Sequence, residues 1–252
     1  MVTVRDLNAA GWPVPRDFLD GLSDYEREFI RLEFTGQRTK AYYNDRLRYL
    51  GLVGSRRVLD AGCGMGQWAL ALSECNELVV GIDLNATRLG LARRLASASG
   101  RQNLMFCRGR LESLPLRDRE FDAIFCYGVF MFTYMPQTLA EFKRVMKPGG
   151  RLYLNANSVG WYVHLLRDVP WNRKAAIGMI WNTMLGRHRA VVVTEGRLRK
   201  LLAANDFDVL VVGCEGDTSF LDRPASPKPP PGYQRRYWGM RAILEVLAIR
   251  RS

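Results

Sequence analysis

Short apolar runs and amphipathic segments alternate along most of the chain. The apolar runs have the length of buried strands and read RRVLDAG, ELVVGID, NLMFCRG, FDAIFCYG and RLYLNAN. Segments with helical spacing lie between most of them: QWALALSE, ATRLGLARRLASAS, which stops at Gly100, and PQTLAEFKRVM, which stops at Pro148. This alternation predicts a parallel sheet with right-handed crossovers and helices on both faces.

Residues 1–50 show a helical pattern without strands. One helix is predicted in SDYEREFIRLEF, beginning at Ser23 or Asp24, and a second in RTKAYYNDRLRYL after Gly36. We therefore predict an N-terminal helical cap over residues 1–50 and a main domain over residues 51–252.

The pattern changes after Asn157. The segment SVGWYVHLLRDVPWNRKAAIGMIWNTMLGRHRA contains no strand-like run, which predicts a helical insertion at about 158–190, split into two helices at Pro170. A helix in TEGRLRKLLAAND and strands in FDVLVVGCEG and RAILEVLAIR follow. The proline-rich segment 222–233 predicts an exposed loop, and so long and rigid a connection favours a hairpin-like return. The predicted fold is α/β, a doubly wound, mostly parallel seven-stranded sheet with an antiparallel last strand.

Composition limits the class of protein. The 252 residues are 48% hydrophobic, enough for one substantial core, yet no run reaches the roughly 18 apolar residues of a membrane-spanning helix. The N-terminus does not resemble a secretory signal. Five scattered cysteines without C-x-x-C spacing fit a reduced compartment better than a disulfide framework or a metal site. A cytoplasmic protein without a metal is predicted.

Positive charge is concentrated in one part of the chain. The formal net charge is +12, and the segment from Lys143 to Lys200 has twelve basic residues against two acidic ones. Such a segment attracts phosphates, carboxylates, nucleic acid or anionic lipid, although a solvated face that aids solubility has the same composition.

The stretch VLDAGCGMGQ places glycines at alternate positions between a strand and a helix. Gly62, Gly64 and Gly66 would let backbone N–H groups and the helix N-terminus face a ligand. Asp83 ends the second strand 21 residues after Gly62, where a carboxylate can accept hydrogen bonds from ribose hydroxyls. A nucleoside site is therefore predicted.

Two residues of this stretch bear on which nucleoside binds. A dinucleotide fingerprint would need glycine at position 67, where the chain has Gln67. Asp60 directly precedes the loop, and its charge would repel a diphosphate but suit a ligand with a cationic centre and a free amino group. S-adenosylmethionine (SAM) meets both demands.

Four stretches resemble successive motifs of class I, Rossmann-like SAM-dependent methyltransferases, in particular the branch that acts on small molecules, lipids and sugars. They read VLDAGCGMG, VVGIDLN, GRLESLPLRDREFDAIFCYGVF and EFKRVMKPGGRLYLNAN. The resemblance runs from about Arg57 to Asn157, resumes over residues 194–213 and includes the last strand. It implies SAM as the cofactor and S-adenosylhomocysteine as the product.

The resemblance also implies roles for single residues of the first two motifs. Asp60 would bind the methionine amino group, directly or through water, and Asp83 would hold the ribose hydroxyls, with Leu84 against the adenine face. Four residues would shape the loop under the methionine and ribose: Gly62, Cys63, Gly64 and Gly66.

The third motif would supply the adenine edge and the passage to the methyl group. Arg110, Leu111 and Glu112 would meet the adenine, while Tyr127 and Gly128 would line the passage. Arg110 departs from the family, which often has an acid or a small polar residue there. Because arginine cannot accept a hydrogen bond, the contact with the adenine amino group passes to Glu112 or to backbone, or is absent. Arg110 itself would pair with Glu112 or face solvent.

Two histidines are the candidate catalytic bases. His164 and His188 both lie in the helical insertion, which in this superfamily commonly forms a substrate lid, and a hydroxyl acceptor benefits from a general base. His164 lies on an apolar helix face, so a core histidine is an equally good interpretation, and His188 lies among arginines. The position after the fourth strand reads CYGVFMF instead of Asn- or Asp-Pro-Pro-aromatic, which disfavours methylation of nucleobase amines.

The insertion also has an apolar helical face. AAIGMIWNTML places six residues on one side of a helix: Ala176, Ile177, Ile180, Trp181, Met184 and Leu185. Packing of this face on the sheet is the favoured interpretation. Contact of residues 158–190 with a membrane surface or a lipid-linked substrate is the alternative.

The sequence thus predicts a SAM-dependent methyltransferase. Its acceptor would be a hydroxyl or amine of a small metabolite, a sugar or a lipid-linked molecule, and that molecule could carry negative charge. Quinone-type C-methylation and RNA methylation are alternatives within the class, although nucleic acid is a disfavoured partner. Outside it stand an NAD-dependent oxidoreductase and a non-catalytic SAM-binding partner subunit. The predicted location is cytoplasmic, either free or peripheral to the inner membrane face.

Overall fold

A computed structural model describes residues 2–221 and 234–252. Helices and strands alternate through most of the chain. The helices are α1 (Val4–Ala9), α2 (Asp24–Phe34), α3 (Lys40–Leu50), α4 (Gln67–Ser73), α5 (Ala86–Ser99), α6 (Met135–Val145), α7 (Val159–Asp168), α8 (Arg173–Met184) and α9 (Glu195–Ala204). The strands are β1 (Arg57–Ala61), β2 (Leu78–Asp83), β3 (Leu104–Arg108), β4 (Phe121–Cys126), β5 (Met146–Asn157), β6 (Phe207–Cys214), β7 (Arg236–Tyr237), β8 (Met240–Arg241) and β9 (Ile243–Arg250). None of the helices in the described ranges is both long enough and apolar enough to cross a bilayer.

Seven strands form one sheet in the order β3-β2-β1-β4-β5-β9-β6. β9 pairs antiparallel with both β5 and β6, which makes β6 parallel to β5. The predicted doubly wound sheet with an antiparallel last strand is confirmed. The predicted loop at 222–233 lies outside the described residues.

The chain divides into two compact units, and the first ends at Gly109. It contains β1, β2 and β3 in parallel register together with α1 to α5. The N-terminal helices pack through aromatic rings, since Tyr43 is fully buried and meets Trp68 edge-on with ring centroids 4.5 Å apart. The Tyr43 hydroxyl donates to the Glu33 carbonyl at 2.6 Å, which satisfies the buried phenol. The division of the chain at residue 50 stays a prediction.

The second unit begins at Arg110 and contains β4, β5, β6 and β9. It also contains a two-stranded hairpin of β7 and β8, which the sequence analysis missed. Trp238 and Gly239 form the turn with positive φ angles of 50° and 75°, a backbone typical of two-residue hairpin turns. The hairpin packs against α7 of the insertion.

The helical insertion has the predicted form but buries a different face. Two helices, α7 and α8, are separated by a short turn of 3₁₀ helix that begins at Pro170. α8 packs against α7 through Ala176, with Met179 and Ile180 beside it. Four of the six residues predicted to pack are strongly exposed instead: Ile177, Trp181, Met184 and Leu185. The packing prediction is wrong for these four, because the contact with α7 uses the adjacent side of the helix.

Candidate functional site

The glycine loop joins β1 to α4 in the first unit and needs glycine for two different reasons. Gly66 has φ +88°, and a Cβ there would lie 2.9 Å from the Cβ of Ala92, so a side chain is excluded by helix α5. Gly64 has φ +54°, but nothing lies within 4 Å of the position its Cβ would take. The loop therefore packs closely on one side and leaves open space beside Gly64.

The loop amides are held by the protein. Gly62 and Cys63 both donate to the carbonyl of Ile82, at 2.7 and 2.9 Å, and Gly64 donates to Oδ2 of Asp83 at 3.0 Å. Gly66 donates to the carbonyl of Cys63 at 2.9 Å. These four amides are thus bonded within the protein, and binding of a ligand by the loop and the helix N-terminus stays a prediction.

Asp83 lies at the end of β2 and supports the loop. Its Oδ1 accepts from the backbone amide of Asn85 at 2.8 Å, while Oδ2 accepts from Gly64. Each carboxylate oxygen can accept a second hydrogen bond, so the group remains able to receive ribose hydroxyls. Leu84 follows directly with 52% of its side chain exposed, an apolar surface of the kind on which a base can lie.

Asp60, near the end of β1, is a buried acid with a raised pKa. It is 1% exposed, and within the described residues its Oδ2 has no hydrogen-bond partner. Burial, with a contribution from the nearby Asp83, raises the pKa of Asp60 to about 8, although a backbone hydrogen bond from Ala69 acts in the opposite direction. A cationic donor at Oδ2 would satisfy this oxygen and favour the ionised form. The unpartnered carboxylate oxygen of Asp60 therefore fits the amino group of a SAM-like ligand.

Cys63 fills space behind the loop. Its side chain is buried, and burial raises the pKa of the thiol well above its usual range, so a thiolate nucleophile is disfavoured. A Cβ on Gly81 of β2 would lie 3.0 Å from the Cys63 sulfur, which shows how closely strand and loop approach.

The second unit begins shortly after β3 with three predicted site residues, Arg110, Leu111 and Glu112. Leu111 is buried, and Arg110 is half exposed with its Nε 3.9 Å from Glu112 Oε2, so the predicted pairing of Arg110 with Glu112 is confirmed. Glu112 Oε1 accepts from the Tyr134 amide at 3.1 Å and from Arg189 at 2.7 Å. Burial alone would raise the pKa of Glu112, but these two partners lower it. The Arg189 contact ties this segment to the end of the helical insertion.

Tyr127 and Gly128 directly follow β4 and are joined to residues that the sequence analysis missed. The Tyr127 hydroxyl donates to Oε1 of the buried Glu215 at 2.6 Å, and the Gly128 amide donates to Oδ1 of Asn155 at 2.6 Å. Glu215 directly follows β6, so both ends of the Tyr127–Glu215 pair lie at the carboxyl ends of parallel strands, where α/β sheets bind ligands. An acid placed directly after a strand was the signal that could have indicated Glu215.

Comparison with known proteins agrees with this geometry. Residues 58–150 match a protein family described as a methyltransferase domain. Over these residues the chain is similar to a methyltransferase domain.

Two relatives and one solved structure are similar to parts of the chain. Demethylmenaquinone methyltransferase of Shouchella clausii is 32% identical over 120 residues, 46% of this chain and 51% of that protein. The ubiquinone/menaquinone biosynthesis C-methyltransferase of Syntrophotalea carbinolica is 40% identical over 110 residues, 42% of this chain and 46% of its own. The chain spans about half the length of both relatives. The structure of YcgJ protein from Bacillus subtilis shares the fold, with a TM-score of 0.56 at 18% identity over 83% of this chain and 98% of that one.

The two histidines lie outside the residues matched to the methyltransferase domain and differ in what they can do. His164 Nδ1 is 2.9 Å from Asp168 Oδ2, a contact that holds the proton on Nδ1 and leaves Nε2 able to accept one. Its ring stacks on Tyr237 with centroids 4.6 Å apart. His188 Nδ1 instead faces the Arg197 guanidinium at 3.3 Å, which places the proton of the neutral ring on Nε2 and disfavours a role as base. Catalysis by either residue stays a prediction.

Half of the twelve lysines and arginines in the basic segment pair with carboxylates. The ion pairs among the described residues are Lys143–Asp206, Arg144 with both Glu141 and Asp118, Lys147–Asp122, Arg167–Asp168, Arg189–Glu112 and Arg199–Glu195. Pairing of this kind weakens the field that the sequence composition predicts.

Proposed function

We propose that the protein is a SAM-dependent methyltransferase. The observation that carries this proposal is the buried Asp60 carboxyl, whose Oδ2 has no partner among the described residues and whose pKa is raised to about 8. We assign the methionine amino group to Asp60, the ribose hydroxyls to Asp83 and the adenine face to Leu84. When bound there, SAM supplies a methyl group on a sulfonium, which an acceptor held in line can take up.

Calorimetric titration tests cofactor choice. We expect S-adenosylhomocysteine to bind and NAD not to bind. Asp83→Ala removes the acceptor for the ribose and for the Gly64 amide, so we expect at least about tenfold weaker binding of S-adenosylhomocysteine. Asp208→Ala is the control, because Asp208 lies on β6 with an exposed side chain. Binding of NAD, or unchanged affinity in Asp83→Ala, would refute these assignments.

We further propose a ring carbon of a quinol-like, lipid-borne molecule as the acceptor, in place of the hydroxyl or amine that the sequence favoured. The two relatives described above are named for demethylmenaquinone and for C-methylation of ubiquinone or menaquinone, which supports this choice. An aromatic carbon becomes a nucleophile when a neighbouring ring hydroxyl loses its proton. That carbon then takes the methyl group as the methyl–sulfur bond breaks and the neutral thioether leaves, and it loses its own hydrogen as a proton when the ring regains aromaticity. The acceptor chemistry therefore needs a base.

The pair of Tyr127 and Glu215 can supply that base. Tyr127 is partly exposed, and its hydroxyl already donates to Glu215 at 2.6 Å. The phenol oxygen can take the proton of an acceptor hydroxyl while its own proton passes to the Glu215 carboxylate, so the charge moves from the buried carboxylate to the acceptor ring. Tyr127 is the catalytic residue in this scheme and Glu215 acts through it.

Product analysis distinguishes carbon from oxygen or nitrogen methylation. Reduced short-chain demethylmenaquinone would be incubated with methyl-labelled SAM, and the position of the label read by mass spectrometry and NMR. We expect label on ring carbon, and a fall of kcat by about 100-fold in Tyr127→Phe with KM for SAM little changed. Label on oxygen, or full activity of Tyr127→Phe, would contradict the proposal.

One observation favours a second candidate, methylation of a hydroxyl or amine with His164 as the base. The contact of His164 with Asp168 leaves Nε2 as a proton acceptor, as a general base requires. In that case His164→Gln would lower kcat at least about 100-fold and Tyr127→Phe would not.

A further inference from the structure

Exposed tryptophans are concentrated on one part of the second unit. Trp171 is 80% exposed and Trp181 58%, and both belong to the helical insertion. Trp238, 72% exposed, lies at the turn of the hairpin that packs against α7. The other three tryptophans, Trp12, Trp68 and Trp161, are buried or partly buried.

α8 carries further apolar side chains beside the face that packs against α7. Ile177, Trp181, Met184 and Leu185 recur at helical spacing, and each is more than half exposed. We call these four residues and Trp171 the exposed insertion face. Scattered apolar side chains on a surface are ordinary. Four large ones at helical spacing along α8, with Trp171 in the turn that precedes the helix, are a group of the kind that marks an interaction site.

Positive charge accompanies this patch. From residue 169 to residue 194 the chain has four basic residues and no acidic one. Arg189 is paired with Glu112, whereas Lys174 and Arg187 are exposed at the two ends of α8. Lys174 lies at helical spacing from Ile177 and Trp181, on the same side of the helix.

We propose that the exposed insertion face docks on an anionic lipid surface. Tryptophan and long aliphatic side chains on one side of a helix, with lysine and arginine beside them, match the composition of helices that lie in the membrane interface. The indole rings would lie at the level of the headgroups, and Lys174 and Arg187 would meet the lipid phosphates. Charge complementarity selects this occupant over a second copy of the chain, whose own α8 carries the same positive charge.

Vesicle binding tests the proposal with the full chain. The protein would be sedimented with vesicles of phosphatidylcholine alone and with vesicles that contain phosphatidylglycerol. We expect binding to the anionic vesicles, a blue shift of tryptophan fluorescence on binding, and weaker binding at high salt. Binding to neither kind of vesicle would overturn the proposal.

Paired variants locate the surface. Trp181→Ser with Met184→Ser should weaken vesicle binding at least about tenfold, because two large apolar side chains no longer enter the interface. Leu32→Ser with Leu210→Ser is the matched control, since these residues are 53% and 54% exposed on α2 and β6. Equal loss in both double variants would overturn the proposal, and so would a dimer that forms through this face in place of vesicle binding, measured by analytical ultracentrifugation. Thermal unfolding of each variant checks that it is folded.

Discussion

Without ligand, the Asp60→Asn variant should become more stable than the wild type as the pH rises. In the folded state burial raises the pKa of Asp60 to about 8, whereas its ordinary value is 3.8. Between these values the unfolded chain has lost this proton and the folded protein keeps it. The folded state therefore binds more protons, so the free energy of unfolding falls as pH rises from about 4 to about 8.

The size of this effect follows from the pKa difference. At about 1.4 kcal/mol for each pH unit, the interval from 3.8 to pH 7 corresponds to a loss of about 4 kcal/mol. Asparagine has almost the same shape and does not ionise, so the variant avoids this loss. Its amide must still find a buried partner, which costs about 1–3 kcal/mol. At pH 7 we expect Asp60→Asn to be about 1–3 kcal/mol more stable than the wild type, and the difference should grow by about 4 kcal/mol from pH 5 to pH 8.

Urea unfolding of both proteins without ligand, at pH 5 and at pH 8, measures that gain. Asp208→Asn serves as the control. Because the Asp208 side chain is exposed, the stability of this variant should change with pH as that of the wild type does. Calorimetry adds a second measurement, since a bound ammonium would favour the ionised Asp60 and cofactor binding at pH 7 should release about one proton in the wild type. Asp60→Asn should release none and bind more weakly. A stability difference that does not change with pH would refute the reasoning.

Three further substitutions test the packing of the glycine loop and the buried hydrogen bonds of Glu245. Gly66→Ala should destabilise the protein by about 2–3 kcal/mol, because φ is +88° and the new Cβ meets Ala92. Gly64→Ala should lose only about 1 kcal/mol, since nothing lies within 4 Å of its Cβ position. Urea unfolding compares the two variants. Equal losses would contradict the asymmetry. The free energy of unfolding of Glu245→Gln should be about 2–3 kcal/mol lower in the same assay. The reason is that the buried side chain accepts from the Thr218 hydroxyl at 2.5 Å and from the Gly216 amide at 3.1 Å. A variant as stable as the wild type would show that these bonds are replaced.

The insertion shows where reasoning from sequence stops. α7 and α8 were predicted because apolar spacing and Pro170 are local signals, and the helices form where expected. Which side of α8 is buried is not a local property, since Ala176 and Ile180 lie on one side and Ile177 and Trp181 on another. The contact with α7 decided in favour of the first side.

The site shows the same division. Asp60 and Asp83 could be indicated from sequence, because each ends a strand beside a glycine loop. The partners of the loop amides could not, since the carbonyl of Ile82 reaches Gly62 only when β1 and β2 pair. Tyr127 and Glu215 are 88 residues apart in the chain. No periodicity links them.

The sequence by itself determined the order along the chain of the strands in the seven-stranded sheet and of the helices between them, the antiparallel last strand, and the acids near the ends of the first two strands. Those features follow from local hydrophobic spacing and from the few ways in which strands and helices can be connected. Tertiary structure alone decided the raised pKa of Asp60, the pairing of Tyr127 with Glu215 and the exposure of Trp181. These depend on which surfaces exclude water, and that is fixed only when segments distant in the chain pack together.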